Sequence, residues 1–184
     1  MKFSTQSIAD VILIEPTING DDRGYFVETF RQDLLEEAIG YRVNFVQDNE
    51  SRSTKGVLRG LHYQLPPYTQ AKLVRVIEGK VLDIAVDIRK SSPTFGQHIS
   101  VELTAQNKYQ LFIPRGFAHG FVVLSNTATF AYKVDNYYSK THERGISFYD
   151  KKLDINWGLP YEILQISEKD RQLPLLDMTE NFFN

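Results

Sequence analysis

Hydrophobic and polar positions alternate through the middle of the chain. Across residues 80–88, Leu82, Ile84, Val86 and Ile88 fall on one face, and Val81, Asp83, Ala85 and Asp87 on the other, the two-residue period of a strand. A run rich in branched residues, 71–77, precedes it, with Glu78-Gly79-Lys80 as the turn between them. Ile99, Val101 and Leu103 alternate again, and segments 109–113, 121–124 and 127–134 follow at short intervals. Ser125-Asn126 reads as a two-residue hairpin turn. Short strands at this spacing predict a sandwich or barrel. Helix is scarce. Leu34, Leu35, Ala38 and Ile39 predict one over 31–39 that stops at Gly40, and Ser167-Glu168-Lys169-Asp170 begins a second, short one. With no internal repeat, linker or low-complexity segment, residues 1–184 are expected to form one all-β domain with short helices near both ends.

Composition narrows the function. The 184 residues suffice for a substantial core. A balance of 21 basic against 23 acidic residues argues against a nucleic-acid partner, so an anionic ligand would need a local cluster of Lys and Arg. The absence of cysteine excludes disulfides, thiolate metal sites and Cys nucleophiles. No stretch approaches the ~18 apolar residues of a membrane span, and the first residues lack the apolar run of a signal peptide. A cytoplasmic protein without membrane contact is therefore expected. The 12 Phe, 10 Tyr and single Trp suit β packing.

Two clusters carry candidate chemistry. In Gly56-Val57-Leu58-Arg59-Gly60-Leu61-His62-Tyr63-Gln64, strict alternation puts Arg59, Leu61 and Tyr63 on one face and Gly60, His62 and Gln64 on the other. Lys72 and Arg75 come from the next strand. Lys72 lies between Ala71 and Leu73, so periodicity leaves its direction open. In the second cluster, Pro114 to Phe121, a Pro-x-Gly turn delivers His119 at the start of a strand. These clusters resemble the two motifs of the cupin superfamily, whose fold is a β jelly roll. Gly56 to His62 matches the opening of the metal-binding motif, but Gln64 stands where the second His ligand should be. Two imidazoles without a nearby acid fall short of a stable divalent site. No metal is expected, and His62 is freed for acid–base work.

The likeness then becomes closer. Asp22 to Phe30, Phe45 to Ser51, Gly56 to Gln64, Ala71 to Val76, the Pro114 turn, Tyr132 to Tyr138 and Ser167 to Asp170 occur in the order found in the dTDP-4-dehydrorhamnose 3,5-epimerases. The chain resembles that family over nearly its whole length. The resemblance implies a cofactor-independent isomerase of dTDP-L-rhamnose synthesis for surface polysaccharides, acting on a dTDP-4-keto-6-deoxy sugar at C3″ and C5″. It makes His62 the base, Asp170 the acid that orients it, Lys72 the cation at the C4″ oxygen and Tyr132 the general acid on the opposite face. Arg23, Arg59 and Lys169 are implied at the diphosphate, and His119 near sugar or phosphate. Gln47, Asn49 and Glu28 are implied at thymine or ribose, Phe26 against the base, and Tyr138 and Glu143 as further substrate contacts. It also implies a homodimer with N-terminal strand exchange. Each residue has a plainer role: Asp170 as partner of Ser167 in a capping box, Tyr132 as a cross-strand aromatic, Arg23 in a polar turn. Two rival readings share the residues, a single-site epimerase of a related keto sugar and a non-catalytic sugar-binding cupin.

Overall fold

The computed structural model describes residues 1–179 and 183. In chain order it contains β1 (Lys2–Thr5), β2 (Ile12–Glu15), β3 (Ile18–Asp21), β4 (Gly24–Val27), α1 (Gln32–Ile39), β5 (Gln47–Thr54), β6 (Val57–Gln64), β7 (Lys72–Glu78), β8 (Lys80–Asp87), β9 (His98–Thr104), β10 (Gln110–Ile113), β11 (Phe117–Val123), β12 (Thr127–Val134), β13 (Glu143–Gly145), β14 (Gln165–Ile166) and α2 (Glu168–Arg171). One sheet runs β1-β2-β10-β7-β12-β5 and a second runs β13-β6-β11-β8-β9, with β14 added in parallel beside β6. This is a sandwich, as the strand pattern predicts, in the jelly-roll form that the cupin resemblance implies. Among the described residues no helix is long and apolar enough to cross a membrane.

Both faces of the second sheet are covered. Val81 and Ala85 of β8 pack between the sheets with Val74, Val76, Leu111, Phe121 and Phe130. Ile84, Val86 and Ile88 face the other way, against Ile146, Phe148, Trp157 and Leu164 of the C-terminal segment. The alternation across 80–88 is thus a choice between two cores rather than between core and water. A third cluster joins Leu35 of α1 and Val43 to Ile12, Ile14, Leu73 and Phe112 on the outer face of the first sheet. Gly40 closes α1 with φ +80°.

One expected connection differs. Ser125-Asn126 links β11 to β12, but these strands lie in different sheets, so the turn crosses the sandwich and closes no hairpin. The turn at Gly79 likewise carries the chain from β7 in one sheet to β8 in the other. Two-residue turns cannot reveal this distinction, because the polar residues that favour them serve either crossing. The segment expected at 121–124 starts earlier, at Phe117.

The alternation predicted for β6 also breaks. His62 pairs with His119 and Arg59 with Phe121, so three steps on β6 oppose two on β11. This bulge carries one extra residue. Leu58, Leu61 and Tyr63 consequently face the outer core, and Arg59 and His62 both face the interior cavity. Gly60 makes the bulge possible. Its φ is +123°, and a Cβ there would meet the Cα of Gly120 at 2.5 Å and the His119 carbonyl oxygen at 2.7 Å. Gly60→Ala is expected to lower the free energy of unfolding by about 2–4 kcal/mol through strain and overpacking. Gly40→Ala, whose Cβ would meet nothing within 4 Å, is expected to cost about 1–2 kcal/mol. Urea unfolding measures both, and equal costs would show that Gly60 is needed for its backbone angle alone.

Candidate active site

The cavity between the sheets has a volume of about 730 Å³ and is lined by residues of both sheets and of α2. His62 of β6, Lys72 of β7, His119 of β11, Tyr132 of β12, Glu143 of β13, and Lys169 and Asp170 of α2 all reach it, together with Arg59. Of the fourteen residues singled out from sequence, these eight share one wall-to-wall space.

The short helix α2 explains how Asp170 arrives. Ser167 caps it, its Oγ accepting from the backbone N–H of Asp170 at 3.1 Å. The cap and the inward-facing carboxylate coexist. The main chain of Asp170 completes the cap while its carboxylate turns inward, Oδ1 lying 2.7 Å from His62 Nε2 and Oδ2 3.5 Å from the Gly60 N–H. Burial works to raise the Asp170 pKa, but the bonds from His62, Gly60 and Ser167 outweigh it and hold the carboxyl below its ordinary value. An ionised carboxylate can only accept. His62 Nε2 therefore carries a proton, which leaves Nδ1 as the nitrogen able to act as a base. The His62 side chain is 28 % exposed, whereas that of Asp170 is 5 % exposed.

Lys72 lies on the interior face of β7 with Val74 and Val76, which settles the direction its neighbours left open. It is half-buried, and desolvation pushes its ammonium down to about 8, against the opposing pull of Asp83 and Glu143. Tyr132 stands opposite Val74 in the β7–β12 register, one pleat from Lys72. Burial raises its phenol above the ordinary value. His119 faces His62 directly across the β6–β11 ladder and is only 7 % exposed, with Nε2 2.9 Å from Asp83. Burial lowers its pKa, so it is neutral at pH 7. Arg59 bonds Ser53 Oγ through Nε at 3.2 Å, leaving its terminal nitrogens for a ligand. Glu143 receives Lys169 Nζ at 2.6 Å and the Tyr138 hydroxyl at 2.8 Å.

Gln64 occupies the position of the missing metal ligand, and its amide is fully engaged. Nε2 donates to the carbonyls of Tyr68 and Tyr137, and Oε1 accepts from the Ser139 N–H at 2.6 Å. It ties down the loop bearing Tyr137 and Tyr138. Among the described residues no three His, Asp or Glu side chains converge as metal ligands.

The other predicted residues lie outside this cavity. Gln47 and Asn49 share the half-buried face of β5 with Ser51, which does line it, and bond each other at 2.8 Å. The Tyr138 N–H donates to Gln47 Oε1, tying that wall to the Tyr138–Glu143–Lys169 chain at the rim. Arg23 and Phe26 sit on the β3–β4 hairpin, Phe26 at 69 % exposure and Arg23 paired, among the described residues, with Asp21. Glu28 lies just beyond it, 4.0 Å from Arg31. A separate cavity of about 630 Å³ lies beside α1, where Arg89 and Arg115 are already paired with acids. Sequence reasoning missed Asp83. The available signal was an acid on the interior face of β8, between Val81 and Ala85.

Comparison with known proteins agrees with this geometry. The family model described as dTDP-4-dehydrorhamnose 3,5-epimerase matches residues 5–178. The Shigella flexneri dTDP-4-dehydrorhamnose 3,5-epimerase is 60 % identical over 170 residues, covering 92 % of this chain and 93 % of that protein. The crystal structure of the dTDP-6-deoxy-D-glucose-3,5-epimerase of Legionella pneumophila, in complex with dTDP-4-keto-L-rhamnose, matches with a TM-score of 0.93 at 50 % identity, covering 97 % of this chain and 94 % of that one. A 3′-monoepimerase of Streptomyces bikiniensis, in complex with dTDP-quinovose, matches with a TM-score of 0.86 at 32 % identity, covering 94 % and 87 %. Family match, identity and site chemistry converge: the chain belongs to the dTDP-4-dehydrorhamnose 3,5-epimerases.

Proposed function

We propose that the protein converts dTDP-4-dehydro-6-deoxy-D-glucose to dTDP-4-dehydro-L-rhamnose by inverting C3″ and C5″. The observation that carries this reading is the His62–Asp170 pair opening onto the same cavity as Lys72 and Tyr132. Both carbons flank the C4″ ketone, so one oxyanion site serves both. His62 Nδ1 takes the proton from carbon, and the C–H electrons move into the ring to leave an enolate with its charge on O4″. Asp170 stabilises the imidazolium, and the Lys72 ammonium stabilises the enolate oxygen. Tyr132 delivers its phenolic proton to the opposite face of the carbon, which inverts the centre. Exchange with solvent then returns a proton to the phenolate and takes one from His62. No redox step occurs, so the chemistry needs no cofactor.

Arg59, His119, Glu143, Lys169 and Tyr138 are the contacts this chain offers to the diphosphate and sugar. Arg suits the bidentate geometry of phosphate. Gln47 and Asn49 extend the same wall toward the nucleoside. Arg23, Phe26 and Glu28 stand on or beside an exposed hairpin with no core of its own. This arrangement favours a homodimer in which that hairpin reaches the partner's cavity, with Phe26 against the base. A biosynthetic enzyme of nucleotide sugars, with ligands of this charge, fits the cytoplasm.

A single-site epimerase is the second reading, favoured by the 3′-monoepimerase likeness. Incubation of the 4-keto sugar in deuterated water separates the readings. Deuterium is expected at both C3″ and C5″, and His62→Ala is expected to abolish both while leaving dTDP binding nearly intact. Label at one carbon would support the single-site enzyme, and no label would refute catalysis. The pH profile tests Lys72. A lysine pushed down to about 8 is charged below that pH and neutral above it, so kcat/KM is expected to fall as pH rises through about 8. Tyr132, raised above its ordinary value, is not the source of this limb. Lys72→Arg, which keeps its charge, is expected to remove the limb, and an unmoved limb would overturn the assignment. Mixing tests the dimer. Inactive His62→Ala and weakened Arg23→Ala proteins, combined after subunit exchange, are expected to regain activity, because one site per heterodimer becomes wild type. No gain on mixing would show that the site is built within one chain.

A further inference from the structure

Asp83 has no exposed area and lies against His119, a residue of the cavity wall. It lies on the interior face of β8 between Val81 and Ala85, both core residues. A carboxylate there is costly unless cations and donors compensate it. Across the β8–β11 ladder Asp83 pairs with Phe121 and Ala85 with His119, so the carboxylate reaches His119 diagonally on the same face. Both its oxygens lie within 3.1 Å of His119 Nε2. Among the described residues its side-chain hydrogen bonds go to His119 alone. Phe130 stacks on the other side of that imidazole, with ring centroids 6.1 Å apart. His119 is thus fixed from two directions.

The same carboxylate acts on Lys72. The charged groups that bear on this lysine are Asp83 from β8 and Glu143 from β13. His119 in turn feels Asp83, Lys72 and His62. Glu143 is already engaged by Lys169 and by the Tyr138 hydroxyl. Asp83 is the acid whose charge no other cation pairs with.

We infer that Asp83 is a positioning residue of the epimerase, one buried carboxylate that orients His119 and supplies the counter-charge that keeps Lys72 cationic for the enolate. The inference rests on the proposed epimerase reading. It explains why an acid sits in an apolar strand. Lys72 must be desolvated to act strongly on the enolate oxygen, yet desolvation drives off its proton. An anion that favours the charged lysine, and whose own hydrogen bonds go to His119, opposes that loss while leaving the ammonium free for substrate.

Asp83→Asn tests this, because it keeps the shape and a hydrogen-bond acceptor for His119 but removes the charge. The alkaline limb of kcat/KM is expected to move down by about one pH unit or more. At pH 7.5, kcat is expected to fall about threefold or more, with KM within about threefold because the Asn oxygen still accepts from His119. The ¹³Cε titration of Lys72 in labelled protein reads the same effect without turnover. Its midpoint, about 8 in the wild type, is expected to drop in the variant. If Asp83→Asn does not fold, Asp83→Ser makes the same change with room for a water and carries the same expectation. An unmoved limb together with an unmoved Lys72 midpoint overturns the inference. If wild-type protein fails to epimerise the keto sugar, the functional reading fails instead, and the lysine titration still judges Asp83.

Discussion

One extra residue in β6 determines where the site's groups can stand. Without it, the two-residue period of a strand would place Arg59 with Leu61 and Tyr63, on the face that packs under the C-terminal segment. The bulge opposite His119 and Phe121 turns both Arg59 and His62 inward. It depends on Gly60 and Gly120 passing at a distance that no side chain would permit. The Gly60 N–H also contributes to holding the Asp170 carboxylate. A backbone irregularity therefore sets Arg59, His62 and part of the support of the His62–Asp170 pair at once.

Around that bulge, charges of opposite sign alternate through a space enclosed by two apolar cores. Asp170 stands behind His62, Asp83 behind His119 and near Lys72, and Glu143 beneath Lys169. Each acid faces a group that must hold or move a proton or bind an anion. In a low-dielectric interior such pairs are expensive unless satisfied. Among the described residues no buried side-chain polar atom lacks a partner. The result is a preorganised site: an imidazole whose Nε2 is held by a carboxylate, a cation at its limit of protonation, and a phenol kept protonated by burial. These are the states that enolate chemistry at neutral pH requires.

Much of this was legible in the sequence, for identifiable reasons. The alternation over 80–88, the apolar stripe Leu34, Leu35, Ala38 and Ile39 ahead of Gly40, and the Ser167 cap are local signals, and local structure follows them. Other features are set by tertiary context. Lys72 has ambiguous neighbours because both faces of β7 pack against apolar layers. Residues 47–54 carry no apolar alternation, yet form a strand on β12 whose half-buried face, Gln47, Asn49, Ser51 and Ser53, continues the wall of the cavity. Its polarity reports the ligand and hides the strand. Strict alternation misplaced Arg59 because a bulge leaves no mark beyond a glycine. Asp83 passed as one half of a pattern, although an acid inside an apolar strand is itself a sign of chemistry.

The central claim is that Asp170 fixes the tautomer of His62, with a proton on Nε2 and the basic lone pair on Nδ1. Nitrogen NMR of protein labelled with ¹⁵N-histidine tests it most directly. At pH 7.5, His62 is expected to show a protonated Nε2 and an unprotonated Nδ1, and Asp170→Asn is expected to disturb that pattern. A proton on Nδ1, or a tautomer indifferent to Asp170, would contradict the account.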